Sequence, residues 1–307
     1  MIDDELLDEK TISDSGLSAE QLLDDTPRPS LVVLTGMDAG RIHRLDNGQN
    51  SIGRTMECNL FLGDESVSRK HAEVDIRDGM ALVRDMGSTN GTKINGVEIG
   101  KISQRLQDGD QIQLSSTVVL KFTWQHPLEE ALQRSLYHSA VRDGLTGLYN
   151  KRFLIERFEQ EFAYATRHDR PLSVLVFDLD HFKTVNDNFG HAAGDAMLQA
   201  VANLVRESIR HEDVLGRFGG EEFVLLMRET LLETAIAVAE RVRRDIACHV
   251  VHHDDIEIQV TTSIGVSSST EPGVESAMDL FIRADRRLYE AKEAGRNRIR
   301  APRVKPS

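Results

Sequence analysis

From Leu31 onward, apolar residues come in short runs separated by Gly, Asn and Asp. These are Leu31-Val32-Val33-Leu34, Ile52-Gly53, Ala72 to Ile76, Ala81-Leu82-Val83, Thr92-Lys93-Ile94, Gln111 to Leu114 and Val118 to Phe122. Runs of this length between turn residues predict strands, and so many of them predict a β-sandwich over residues 31–124. Residues 1–30 have no durable period; they are acidic and polar, end on Pro27 and Pro29, and read as a disordered tail. After Pro127, the residues Leu128, Leu132, Leu136 and Ala140 recur every fourth position, which predicts one amphipathic helix in a 125–142 linker. Two readings of it stand open, a linker packed on its own domain and a dimerising stalk. From Asp143 the pattern turns to mixed α/β over 143–303. Helices are predicted at 153–167, 195–210, 232–248 and 278–293, strands at 172–177, 214–218, 223–227 and 256–266, and a basic tail after Arg296.

Composition narrows the function. The 307 residues carry a net charge of −13, which argues against nucleic-acid binding along the whole chain and leaves room for a local phosphate pocket. No apolar run approaches the ~20 residues of a membrane span. The start Met1-Ile2-Asp3-Asp4-Glu5 lacks the basic and apolar regions of an export signal, so a cytoplasmic location is expected. Cys58 and Cys248 form neither a disulfide framework nor a zinc set, and both are expected to be buried.

Three polar clusters fall between the strands of the first domain: Gly53-Arg54, Ser68-Arg69-Lys70-His71, and Gly87-Ser88-Thr89-Asn90-Gly91-Thr92 followed by Asn95-Gly96. An Arg fork with hydroxyl donors suits a phosphate. Ser68 and His71 lack the acid partner and oxyanion loop that hydrolysis needs. In this order the clusters resemble a forkhead-associated (FHA) domain. The resemblance implies an eleven-stranded sandwich that binds phosphothreonine peptides, with Arg54 and Ser68 on the phosphate, Arg69 and Thr89 assisting and Asn90 orienting the peptide. His71 is expected to be a buried residue pinning its loop. One candidate ligand lies in the same chain: Thr11, flanked by acids and followed three positions later by Asp14, is a candidate phosphorylation site for a Ser/Thr kinase. Tethering raises the effective concentration of such a segment without new contacts.

In the second domain, the predicted strand Leu172 to Phe177 runs into Asp178-Leu179-Asp180. Carboxylates at a strand end are suited to Mg²⁺; they also serve as turn residue (Asp178) and helix cap (Asp180). Further on, Gly219-Gly220 forms a tight turn between apolar runs and is followed at once by Glu221-Glu222. Glycines there let backbone approach a nucleotide.

Five ordered stretches together resemble the GGDEF family of diguanylate cyclases. They are Asp143 to Asn150, Asp178 to Lys183, Asn186 to Asp195, Gly219 to Phe223 and Ala284 to Asn297. The resemblance implies a mainly antiparallel sheet flanked by helices, like nucleotidyl cyclases, and condensation of two GTP into cyclic di-GMP and pyrophosphate by a homodimer. It implies Mg²⁺ (or Mn²⁺) on Asp178, Glu221 and the Leu179 carbonyl, with Glu221 or Glu222 favouring deprotonation of the 3′-hydroxyl. Asn186 and Asp195 are implied for the guanine edge, Gly219 and Gly220 for close approach, and Lys183, Lys292 and Arg296 for the triphosphate. Arg210 and Asp213 match the family's inhibitory product site, with Arg241 as a second cation. Two other classes compete: a catalytically silent cyclic di-GMP receptor, which the intact Gly-Gly-Glu-Glu run opposes, and a scaffold recruited to phosphorylated partners.

Overall fold

The computed structural model describes residues 26–36, 38–210, 212–254 and 256–302. The chain divides into two compact units, Met1–Ala140 and Val141–Ser307. The disordered-tail expectation for residues 1–25, and Thr11 with it, lies outside the described residues.

The first unit holds eleven strands among the described residues: β1 (Arg28–Val33), β2 (Ile42–Arg44), β3 (Gly48–Gly53), β4 (Leu60–Phe61), β5 (Ala72–Arg77), β6 (Met80–Asp85), β7 (Lys93–Ile94), β8 (Val97–Glu98), β9 (Gln104–Leu106), β10 (Gln111–Gln113) and β11 (Val119–Gln125). They form one sheet ordered β2-β1-β11-β10-β7-β8 and another ordered β4-β3-β5-β6-β9. Along β5, Ala72, Val74 and Ile76 are buried and alternate with more open positions, the period of two that a half-covered strand requires. These residues join Leu31, Ile112, Leu120 and Phe122 in the core between the sheets. The tail expectation ends too late: β1 begins at Arg28, paired with Gln125. Pro29 fits because its carbonyl accepts from Leu45 N at 2.8 Å, which needs no N–H of its own.

Helix α1 (Pro127–Val141) follows at once. Its buried face is not the leucine stripe. Leu128, Leu132 and Leu136 are 48%, 55% and 62% exposed, while Glu130 and Ala131 are buried. Glu130 is neutralised within the helix by Arg134 at 2.6 Å, Gln133 accepts from Gln125, and Tyr137 lies against Gly40. The helix therefore packs on its own sandwich through a polar face.

The second unit contains α2 (Lys151–His168), β12 (Leu172–Leu179), α3 (Phe182–Ser208), β13 (Val214–Gly219), β14 (Glu222–Arg228), α4 (Leu232–Cys248), the hairpin β15 (Val251–His253) and β16 (Ile256–Ile258), β17 (Thr262–Ser268), α5 (Ala277–Glu293) and β18 (Ile299–Arg300). The main sheet is ordered β13-β14-β12-β17-β18. It is antiparallel except for β18 beside β17. Every residue of β12 is buried because both faces are covered. Leu175, Phe177 and Leu179 pack with Met197, Val201 and Ala239 of α3 and α4. Leu172, Val174 and Val176 pack with Leu154, Phe158 and Leu288 of α2 and α5. Helix starts follow their caps: Asn150 accepts from Phe153 N and Ser276 from Asp279 N, each at 3.0 Å.

Four expectations change here. Helix α3 starts at Phe182, well before 195, and runs through a kink at Gly190 (φ 84°, ψ 165°) that hides its period. The predicted 256–266 strand is two elements, since β16 pairs with β15 and only β17 enters the main sheet. Residues 299–300, read as tail, form a parallel edge strand. Cys58 is buried, but Cys248 is exposed at the end of α4.

Candidate active site

At one end of the central strands, β12 places Asp178 opposite Glu222 of β14 and opposite Ser263 of β17. Leu179 N donates to the Glu221 carbonyl at 3.4 Å, which brings the turn after Gly220 beside the strand end. Behind the acids, Phe177 and Phe223 stack with centroids 5.2 Å apart and are fully buried. Such a pair contributes about 1 kcal/mol beyond its area and anchors both strand ends.

The charges there are unbalanced. Burial of Asp178 pushes its carboxyl up from 3.8 to about 6; the Glu221 and Glu222 carboxylates add to the rise and Lys292 opposes it. Lys292 Nζ lies 2.9 Å from Asp178 Oδ1. One ammonium thus pairs with Asp178, whose buried carboxyl also feels the two glutamates. A hard divalent cation fits this all-oxygen set, because Mg²⁺ uses one or two carboxylates with substrate phosphates rather than a full protein cage. Among the described residues no three His, Cys, Asp or Glu side chains form a self-sufficient metal cluster.

Asp180 does not cap α3. The cap position is His181, in a left-handed conformation with no side-chain cap bond. Asp180 is 4% exposed and accepts from Thr261 Oγ1 (2.7 Å), Ser263 Oγ (2.7 Å) and Asn297 N (2.9 Å).

The Gly219–Gly220 hairpin is braced by Arg217 and Asp143, whose role no local sequence pattern reveals. Arg217 Nε donates to the Gly220 carbonyl at 2.8 Å, and its Nη1 reaches both oxygens of Asp143 at 3.2 and 3.3 Å. Burial of Asp143 works against its charge, but hydrogen bonds from Thr146 and the Arg217 cation hold its carboxyl below the usual range. Gly220 has φ 52°, a turn geometry that favours glycine. The motif Asp143 to Asn150 thus supports the hairpin, a link invisible over 74 residues of sequence.

Within α3 the kink at Gly190 brings Asn186 against Gly194, next to Asp195; a Cβ on Gly194 would meet Asn186 Oδ1 at 2.0 Å. Asp195, Lys183 and Arg296 are exposed. After α3, Asp213 Oδ2 accepts from Arg210 N at 3.0 Å, and its buried Oδ1 has no hydrogen-bond partner among the described residues. Burial raises the Asp213 carboxyl pKa. Arg241 Nη2 donates to Ser208 O at 2.6 Å, two residues before Arg210. Arg210, Asp213 and Arg241 therefore lie near one another. His211, between Arg210 and Asp213, is outside the described residues.

In the sandwich, three loops converge. Gly53 is required because a Cβ there would lie 2.2 Å from the Arg69 carbonyl. Arg54 N donates to Ser68 O at 3.0 Å, Thr89 N to Ser68 Oγ at 2.9 Å, and Asn90 Nδ2 to Ser66 O at 2.6 Å. His71 is fully buried; Ser68 N donates to its Nδ1 at 3.1 Å, and Nε2 lies 3.2 Å from Gly91 O. Asp85 holds the third loop by accepting from Gly87 N, Ser88 N and Thr92 Oγ1. Arg54, Arg69 and Thr89 stay exposed around Ser68.

Comparison with known proteins agrees with both units. The FHA domain model matches residues 50–115. Diguanylate cyclase DgcP of Pseudomonas aeruginosa is 44% identical over 160 residues, covering 52% of this chain and 24% of that protein. The chain spans from about a quarter to about half the length of the curated relatives it matches. Among solved structures, diguanylate cyclase SiaD of P. aeruginosa, in complex with its activator SiaC, aligns with TM-score 0.52 and 37% identity over 57% of this chain and 66% of that one. The GGDEF domain of DgcB from Caulobacter crescentus, in complex with c-di-GMP, aligns with TM-score 0.51 and 30% identity over 53% of this chain and 95% of that one. The family model for the diguanylate cyclase GGDEF domain matches residues 140–298, about half of the chain, and with the acid-bearing hairpin and strand end described above it places this FHA-containing chain in the GGDEF family.

Proposed function

We propose that the chain is a diguanylate cyclase that joins two GTP molecules into cyclic di-GMP with release of pyrophosphate. The observation that carries this reading is the strand end where Asp178, with its carboxyl pushed up to about 6, lies beside Glu221, Glu222 and Lys292. Asp178, Glu221 and the Leu179 carbonyl would hold Mg²⁺ or Mn²⁺, which would supply positive charge to the phosphates. Lys183, Lys292 and Arg296 offset the triphosphate charge, including that developing on the leaving pyrophosphate. Glu221 or Glu222 accepts the proton of the attacking 3′-hydroxyl. Asn186 and Asp195 bond the guanine edge; a carboxylate accepts from two guanine N–H groups that adenine lacks. Each domain holds one GTP, so two copies must face each other, and a homodimer is the working unit.

Arg210, Asp213 and Arg241 form the site where cyclic di-GMP inhibits the enzyme. Asp213 Oδ1, which has no partner among the described residues, supports this reading, because a buried acceptor without a donor is costly unless a ligand supplies one. Arg54 and Ser68, assisted by Arg69, Thr89 and Asn90, read a phosphothreonine peptide made by a Ser/Thr kinase, with Thr11 of the chain's own tail as one candidate. No helix among the described residues is long and apolar enough to cross a membrane; the enzyme acts in the cytoplasm, where GTP is available. The test is incubation with GTP and Mg²⁺ and separation of nucleotides, with ATP and Glu221→Ala as controls. Cyclic di-GMP from GTP and wild type alone supports the reading; none, before or after kinase treatment, refutes it.

A further inference from the structure

The Asp178-Leu179-Asp180 run contains a second carboxylate that the proposed chemistry does not use. Asp180 is buried, and its oxygens join three separate segments. Its own N–H donates to Thr261 O at 2.8 Å; Oδ1 accepts from Ser263 Oγ and Oδ2 from Thr261 Oγ1. The third segment is the turn after α5, where Oδ2 also accepts from Asn297 N at 2.9 Å.

That turn is unusual. Gly295, Arg296 and Asn297 have φ of 103°, 57° and 46°, so two side-chain-bearing residues in succession take the left-handed conformation. Such residues persist only where surrounding contacts hold them. One hold is Arg296 N to Ala291 O at 3.1 Å, at the end of α5. The other is Asp180. After the turn the chain enters β18, with Ile299 beside Ile264. The Arg296 guanidinium forms no ion pair among the described residues, and Lys292, about one helical turn back, reaches Asp178.

We propose that Asp180 is a positioning residue for triphosphate binding: by holding Asn297 N it fixes the left-handed turn from which Arg296 reaches the phosphates. The inference rests on the cyclase reading. The two aspartates then divide the work, Asp178 at the metal and Asp180 behind the cationic turn, where both Asp180 oxygens accept from donors.

Initial rates of the full-length protein test this. A hydrogen bond to a charged group is worth about tenfold or more in affinity, so Asp180→Ala should raise the half-saturating GTP concentration by about tenfold. The half-saturating Mg²⁺ concentration should stay within about twofold. Asp180→Asn can place Oδ1 toward Thr261 and Asn297 and donate Nδ2 to Ser263 Oγ, so it should remain near wild type. In an Arg296→Ala background, Asp180→Ala should add nothing further to the GTP requirement. An unchanged GTP requirement, a raised Mg²⁺ requirement instead, or additive effects with Arg296→Ala would each overturn the proposal. If Asp180→Ala does not fold, Asn297→Ala against Asn297→Gly decides. Both lose the Arg243 contact to the Asn297 side chain, but only alanine resists the left-handed backbone, so alanine should need several-fold more GTP; equal values overturn the idea. A wild type that makes no cyclic di-GMP would instead refute the cyclase reading beneath it.

Discussion

Gly194→Ala separates the proposed guanine contact of Asn186 from the stability of the fold. An ideal Cβ on residue 194 would lie 2.0 Å from Asn186 Oδ1, 3.1 Å from Asn186 Cγ and 3.1 Å from Phe182 Cζ. The first two atoms belong to a half-buried side chain that can swing away; the third must give by a few tenths of an ångström. Residue 194 is helical, so alanine gains about 1 kcal/mol of helix propensity over glycine, and this offsets the crowding of Phe182. Stability should therefore change by less than about 1 kcal/mol, a shift in Tm of no more than about 4 °C for a domain of this size. GTP binding should suffer more. Asn186 displaced from the guanine edge leaves a hydrogen-bonding group unmatched, at a cost of about 1–3 kcal/mol, or roughly five- to 150-fold in half-saturating GTP. The assay pairs a thermal melt with initial cyclase rates over a GTP series. A variant that melts well below wild type, yet needs no more GTP, would refute the reasoning: Gly194 would then serve packing, and Asn186 would not read the base.

Asp178→Asn should abolish cyclase activity and stabilise the metal-free second domain above pH 6. The folded carboxyl titrates near 6 against 3.8 when unfolded, so wild type loses stability as pH rises from about 4 through 6. The amide avoids that loss. At about 1.4 kcal/mol per pKa unit the ceiling is roughly 3 kcal/mol, and solvent at the strand end lowers it to roughly 1. Urea titrations in EDTA at pH 8 and pH 4, followed by the helical circular dichroism signal, check this; an equal difference at both pH values would contradict it. Gly265→Ala would put a Cβ 1.9 Å from the Ala284 carbonyl and 2.4 Å from Leu288 N, both backbone atoms of α5, so a loss of at least about 3 kcal/mol is expected in the same titration. Gly53→Ala, with its Cβ 2.2 Å from the Arg69 carbonyl, should abolish binding of a fluorescent phosphothreonine peptide while leaving cyclase rates intact.

Much of the second domain was legible because its elements are long and periodic. Helices α2 and α5 and strand β12 have unbroken apolar faces, and the reading missed their ends by only a few residues. The first half of α3 is hidden by Asn186-Asp187-Asn188 and Gly190, polar residues and a glycine that interrupt the helical pattern. The two residues of β18 are too few to register as a strand. The linker helix is legible from its Leu stripe, but which side it buries is not: the stripe is exposed, and Glu130 is buried instead, neutralised by Arg134. Local motifs located the acids of the site and the loops around Ser68. They did not reveal the brace from Asp143 through Arg217 to Gly220, nor the tie from Asp180 to Asn297. Those bonds span 74 and 117 residues and depend on how strands are ordered in the sheet.

The measurement that bears most directly on the account is the product balance of the purified full-length chain with GTP and Mg²⁺, counting cyclic di-GMP and pyrophosphate in the same reaction. The account predicts two pyrophosphates for each cyclic di-GMP, a specific rate that rises with protein concentration as copies pair, and no product from Glu221→Ala. Release of GDP and inorganic phosphate, or no turnover across that concentration range before and after kinase treatment, would contradict it.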